Sequence, residues 1–410
     1  MSRPGSTPDR RPPGPFALVA GAVLALLHGV PWWVLVLAPR WPAWLFWSGT
    51  AVALGALVMF PVAMVRGHGR HGDRRSGDRW AIAGDTWLGV IWLLFSWSVI
   101  GGVADIGLLI VGTPSPATQR WAAGAVIVVV ALLGSWGMWQ ARRLPRVRRT
   151  EITLDRLDPA FTGTRIVLLA DTHYGPLDRA RWSARLVEAV NRLDPDIVAH
   201  AGDLADGSVD RRRAQVAPLA AVRAGLARVY ITGNHEYFSG AEPWVRHMAE
   251  LGWTVLHNRH LIVRRGSAEL ALAGVDDRTA AGSGQPGHGA DLPAALAGLS
   301  PGLPVVLLAH QPRQVPAAVR AGVDLQLSGH THGGQIWPFH LVVRAEQGTL
   351  HGLSRPGRRT QLYVTRGAGF WGPPFRVFAP SEISLLVLRS GSPAASSSPA
   401  DTPSSTPDSG

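Results

Sequence analysis

The stretches Gly329-His330-Thr331-His332-Gly333-Gly334-Gln335 and Gly233-Asn234-His235-Glu236 set metal-ligating side chains beside glycines, each directly after a run that reads as a strand. Three more strand-like runs end in the same way. Residues 164–170 lead into Asp171-Thr172-His173, residues 196–201 into Gly202-Asp203, and residues 303–309 into His310. Any one of these alone reads as an ordinary turn. Together, in chain order, they offer nitrogen and oxygen ligands at successive strand ends, enough for two adjacent cations.

Each residue type suits a part in such a site. Asp171 and His173, two residues apart at a strand end, reach one cation, and a single carboxylate such as Asp203 can bridge two. Asn234 adds a neutral oxygen where charge is already dense. His235, beside that ligand position, suits proton transfer better than coordination. In an extended segment His330 and His332 project the same way, toward one metal cluster. Cysteine is absent, which leaves His, Asp, Glu and Asn as the strong ligand types. The other ten of the 15 histidines have no such context and read as structural or exposed.

The first third of the chain has a different texture. Residues 1–14, rich in Pro, Ser, Gly and Arg, read as a disordered tail. Four apolar segments follow at 16–37, 43–65, 87–111 and 121–139, each near the ~20 residues an α-helix needs to cross a bilayer. Tryptophans cluster at their ends, including Trp32, Trp33, Trp41, Trp44, Trp47, Trp80, Trp136 and Trp139, as an interfacial aromatic belt requires. Arginines flank alternate ends: Arg3, Arg10 and Arg11; then Arg66, Arg70, Arg74, Arg75 and Arg79; then Arg142, Arg143, Arg146, Arg148 and Arg149. Four spans with both ends inside satisfy that distribution and put the remainder in the cytoplasm, at a cell membrane. The net charge of +12 involves no lysine and sits beside apolar segments, so a membrane surface is expected and nucleic acid is not.

From Glu151 the pattern alternates between β-like runs and amphipathic helical stretches such as 180–193 and 244–251. This predicts an α/β sandwich with a largely buried central sheet. The expected organisation is a tail (1–14), four transmembrane helices (15–140), a basic linker and leading strand (141–163), a catalytic domain (164–389) and a second disordered tail (390–410).

In order and type, Asp171-x-His173, Gly202-Asp203, Gly233-Asn234-His235-Glu236, His310 and Gly329-His330-x-His332 resemble the calcineurin-like metallophosphoesterase superfamily. Gly329–Gln335, with Tyr363-Val364-Thr365-Arg366-Gly367 and Trp371-Gly372-Pro373-Pro374, is similar to its bacterial membrane-associated, phosphodiesterase-like branch. The resemblance implies a four-layer α/β/β/α fold. It implies two divalent ions (Mn, Fe or Zn), one held by Asp171, His173, Asp203 and His332 and the other by Asp203, Asn234, His310 and His330. Glu236, where many relatives carry Asp, is not an expected ligand. Hydroxide shared by the cations would attack phosphorus while His235 protonates the leaving group. The function expected is a membrane-embedded phosphohydrolase of phosphodiester or pyrophosphate bonds, with lipid-linked substrates favoured. A tethered hydrolase of soluble diesters or nucleotides, or a non-catalytic metal-binding regulator, is the alternative.

Overall fold

The computed structural model describes residues 15–69, 74–112 and 115–391, so both expected tails lie outside it except for Ser390 and Gly391. Ser390 ends a strand instead of opening the tail, because its hydroxyl donates to the Leu157 carbonyl at 2.6 Å.

Four helices come first: α1 (Pro15–Trp32, continued by a π-helical turn, Trp33–Leu37), α2 (Ala43–His68), α3 (Arg74–Val111) and α4 (Pro116–Arg142). All four are long and apolar enough to cross a membrane. Helix α3 starts well before the expected residue 87, since its polar first turns bind protein instead of lipid. Asp78 accepts from Arg211 Nη2 at 2.7 Å and from both terminal nitrogens of Arg212, while Asp85 lies 3.0 Å from His68. A hydropathy pattern begins a span where charge stops and cannot register this extension.

The remainder forms two six-stranded sheets where the residue pattern predicted one central sheet. The first runs β1 (Arg146–Leu154), β12 (Glu382–Ser390), β2 (Arg165–Leu169), β3 (Ile197–Ala201), β4 (Ala227–Ile231) and β5 (Thr254–Val255) in spatial order. The second runs β10 (Gly352–Ser354), β11 (Gln361–Val364), β9 (Leu325–Ser328), β8 (Val305–Leu308), β7 (Ala268–Gly274) and β6 (Arg259–Arg265). Strands β2 to β5 are mutually parallel, as are β11, β9, β8 and β7.

Side-chain alternation explains the layering. Ile166 and Leu168 point between the sheets, where they meet Leu270, Leu272, Val306, Leu308, Leu325 and Leu327. Val167 and Leu169 point outward to α5 (Ala180–Asn191), which buries Trp182, Leu186, Val187 and Val190 at helical spacing. Short helices α9 (Leu292–Leu296) and α10 (Val315–Arg320) cover the second sheet through Ala295 and Ala318. With both faces covered, strands read as unbroken apolar runs. The result is the four-layer α/β/β/α order.

The two regions share a core. Ile336, Phe375 and Val377 bury themselves with Leu93 of α3 and Val126 and Val130 of α4. The Trp337 ring centre lies 5.7 Å from that of Trp97, Phe339 lies 5.7 Å from Trp92, and the Arg376 N–H donates to Gly137 O at 2.9 Å. This approach requires glycine at Gly137, where a Cβ would stand 2.7 Å from Val377 Cγ2. Ordinarily Gly→Ala inside a helix stabilises by roughly 0.5–1 kcal/mol. Gly137→Ala is therefore expected to lower the Tm in detergent, whereas Gly124→Ala on the same helix, with open space around it, should leave it unchanged or raise it.

Candidate metal centre

The parallel strands all deliver their carboxyl ends to one edge, where open α/β sheets bind ligands. Asp171 and His173 follow β2, Asp203 follows β3, Asn234 begins the short helix α7 (Asn234–Ser239) after β4, His310 follows β8, and His330 and His332 follow β9. Five of these seven turn through left-handed backbone, with φ of 54° at Asp171, 42° at His173, 52° at Asp203, 70° at His330 and 51° at His332. Such conformations cost on the order of 1 kcal/mol each and persist where surroundings impose them. His330 and His332 are thus not in the extended segment expected. Left-handed turns beside glycines send their rings apart, so that His330 joins Asp203 and His310 while His332 joins Asp171 and His173.

The distances describe two adjoining groups sharing one carboxylate. Asp203 Oδ2 lies 3.5 Å from His173 Nε2 and 3.2 Å from His310 Nε2. His332 Nε2 lies 3.1 Å from His173 Nε2 and 3.5 Å from Asp171 Oδ1. His310 Nδ1 lies 2.7 Å from Ala201 O, which turns Nε2 toward Asp203. Desolvation lowers His330 to about 3, so its imidazole is neutral.

Among the buried side-chain atoms without a hydrogen-bond partner, three belong to the cluster: Asp171 Oδ2, Asn234 Oδ1 and His310 Nε2. All are strong ligand atoms in the cluster, and buried polar atoms normally find partners. Burial pushes the Asp171 carboxyl up to about 6 despite the nearby His310. Divalent cations fit this donor set, since they would complete each orphaned atom and offset the buried carboxylates. Close backbone approach is part of the design: a Cβ on Gly233 would stand 2.2 Å from Asp203 Oδ1.

Several residues that complete the site had no role assigned to them in the sequence. Asp206 Oδ1 lies 2.9 Å from His173 Nδ1 and 2.7 Å from His235 Nδ1, so one carboxylate orients both rings. Burial alone would lower His235, but Asp203 and Asp206 raise it to about 9. Glu236 accepts N–H bonds from Gly233, Asp203 and Leu204, at 2.5, 3.0 and 2.7 Å, tying the β3 and β4 ends together. Arg376, fully buried, donates to the carbonyls of Gly369, His332, Arg366 and Ala379 and lies 3.1 Å from His332 Nδ1. Gln335 reaches the other end motif: its amide donates to Trp371 O and Pro373 O and accepts from Trp371 N–H. Asp206 had a local signal, lying three residues beyond Asp203 in the same turn. Arg376 had none.

A cavity of about 370 Å³ opens over the cluster. His173, Asp203, Asn234, His235, His330 and His332 line it on one side, and Leu88, Trp92, Ile336, Phe339, Val342 and Val343 supply apolar walls. A second cavity of about 540 Å³ adjoins His173 and His235 and is more polar, with His68, Asp85, Arg179, Asp206 and Arg211 among its walls.

Metal binding should be visible in stability. A cation at a hundredfold excess over its Kd adds about 2.7 kcal/mol, so chelation should lower the Tm by several degrees and Mn²⁺ should restore it. Asp171→Asn should abolish most of that metal-dependent shift in the same thermal assay.

A family model described as calcineurin-like phosphoesterase matches residues 164–334. A Danio rerio protein named transmembrane protein with metallophosphoesterase domain is 36% identical over 309 residues, covering 72% of this chain and 70% of its own length. An uncharacterized metallophosphoesterase of Helicobacter pylori is 39% identical over 262 residues, covering 63% of this chain and 68% of its own. Among solved structures, a dimetal phosphatase from Danio rerio gives a TM-score of 0.34 at 14% identity, over 50% of this chain and 88% of that one. On the sequence relatives, this chain belongs to the calcineurin-like phosphoesterase family and is a metal-dependent phosphoesterase associated with membranes through its apolar helices.

Proposed function

We propose that the protein is a multi-pass membrane phosphohydrolase that cleaves phosphodiester or pyrophosphate bonds in lipid-linked substrates. The observation that carries this reading is the cavity above the ligand cluster, part of whose wall is Leu88 and Trp92 of the apolar helix α3. A phosphoryl group at the cluster leaves an attached hydrocarbon chain beside those side chains, where its burial is favourable at roughly 25 cal/mol per Å². A polar headgroup has the second cavity available on the far side of His235.

In this reading Asp171, His173, Asp203 and His332 hold one divalent cation, and Asp203, Asn234, His310 and His330 the other. When bound, such a pair acidifies water and neutralises charge on the phosphoryl oxygens. The chain's own residues do the rest. Asp203 Oδ2 sits between the two groups, and Glu236 fixes its backbone. Asp203 and Asp206 keep His235 protonated, Asp206 through the 2.7 Å contact with Nδ1, so that Nε2–H can be delivered to the leaving oxygen. Arg376 and Gln335 hold the 366–379 segment against the site.

His235→Ala is expected to retain metal content by elemental analysis while turnover falls about 10²–10⁴-fold, the usual range for a general acid. Loss of metal in this variant would return His235 to the ligand set. Asp206→Asn has a signed pH effect. His235 donates only when protonated, so activity is present below its pKa and lost above it; removing one of the two carboxylates that raise the pKa should move the basic limb of the kcat profile to lower pH.

The arginine distribution supports four crossings with the catalytic part on the cytoplasmic side. Single cysteines at Ser76, Ser115 and Ser208, in a chain with no native cysteine, test this with an impermeant thiol reagent on intact cells. Only Ser115→Cys should label; labelling of Ser208→Cys overturns the orientation. The more polar second cavity favours one other reading, a tethered hydrolase of soluble diesters or nucleotides. Rates on vesicle phospholipid and on a soluble chromogenic diester separate the two. The lipid reading falls if only the soluble ester is cleaved.

A further inference from the structure

The helix α11 (His340–Gln347) closes the apolar side of the cavity and exposes apolar residues on its other face. At 3.6 residues per turn, Val343 and Gln347 share the inner face, while Leu341, Ala345 and Val342 lie on the outer arc with Arg344 at its edge. Leu341 is 61% and Val342 53% exposed. Isolated exposed aliphatics need no explanation. Their surroundings here supply one.

The approach to α11 is already among the apolar helices. Trp337 and Phe339, just before it, contact Trp97 and Trp92 of α3. Trp97 lies twelve residues beyond Asp85 (97 − 85), about 18 Å farther along a helix rising 1.5 Å per residue. On the neighbouring segment Phe378, 60% exposed, has its ring centre 5.8 Å from that of Trp136 on α4. The outer face of α11 therefore continues the apolar surface of the helical bundle. Val342 is both exposed and a cavity-lining residue, so this helix is a wall one side chain thick between the cavity and its surroundings.

We propose that α11 lies in the bilayer leaflet with Leu341 and Val342 among phospholipid acyl chains, and that the seam between α11 and α3 is the path by which a lipid substrate reaches the metal centre. Arg344 sits at the edge of the arc, where a long cationic side chain can extend to lipid phosphate. A substrate taking this path keeps its chains in hydrocarbon while its phosphoester moves to the cluster. The placement of α11 stands on geometry alone; the seam rests on the lipid-substrate reading above.

The cysteine-free chain makes the test direct. A nitroxide is attached at Leu341→Cys in full-length protein reconstituted in phosphatidylcholine–phosphatidylglycerol vesicles. Val52→Cys, on a 69% exposed position of α2, is the lipid reference and Ser208→Cys the aqueous one. Position 341 should match the α2 reference in its preference for oxygen over a water-soluble nickel chelate. A match to the aqueous reference overturns the placement, as does exclusion of both reagents with spin–spin broadening, the signature of a second copy covering the helix. For the seam, Leu341→Glu should slow hydrolysis of vesicle phospholipid by about tenfold or more while hydrolysis of a soluble chromogenic diester stays within about twofold. An equal loss on both substrates overturns it. Wild-type protein inactive on every vesicle lipid but active on the soluble ester would remove the lipid-substrate reading and the seam together, and the nitroxide result would still decide where α11 lies.

Discussion

Two carboxylates carried almost out of reach of water set the terms for the rest of this molecule. Asp171 and Asp203 are 0% and 2% exposed, at a depth where an uncompensated charge costs several kcal/mol. The His310 imidazole and the backbone N–H groups of His330 and His235 supply part of the compensation, and the orphaned oxygen and nitrogen atoms offer donors that divalent cations would fit. To bring these groups together, two sheets must present the carboxyl ends of β2, β3, β4, β8 and β9 at one level. Glu236 and Arg376 then fix the loops through hydrogen bonds to backbone N–H and carbonyl groups.

The same loops attach the site to the helical bundle. Gln335, directly after His332-Gly333-Gly334, fastens Trp371 and Pro373, and the next residues along both segments bury Ile336, Phe375 and Val377 against α3 and α4. Asp78, bound by Arg211 and Arg212, makes a second attachment on the other side of the cavities. Apolar helices and sheets are parts of one packed structure, and the apolar wall that α3 gives the cavity follows from that arrangement.

Most of the cluster was legible before any coordinates. His310, Asn234 and the His330-x-His332 pair stood out because a ligand-bearing residue follows an apolar strand, a pattern carried by local sequence. The shape of the His330-x-His332 segment was not legible. Alternation in a strand predicted parallel projection, but positive φ at both histidines overrides it, because the backbone leaves the sheet at Gly329. Arg376 was invisible for a different reason. Its partners are carbonyls of residues 332, 366, 369 and 379, and carbonyls leave no mark on side-chain identity. The first turns of α3 fell outside the apolar segment at 87–111 because hydropathy scores a charged turn alike whether it meets water or Arg211.

Sequence by itself determined the residue types of the candidate metal cluster, the strand ends that carry them, and four segments long and apolar enough for a bilayer, since each depends on neighbours along the chain. Tertiary structure alone decided the left-handed turns that carry His330 and His332, the sharing of Asp206 between His173 and His235, and the contribution of α3 and α11 to the cavity. Those outcomes rest on contacts between residues tens to hundreds of positions apart, where geometry and burial act and sequence spacing carries no information.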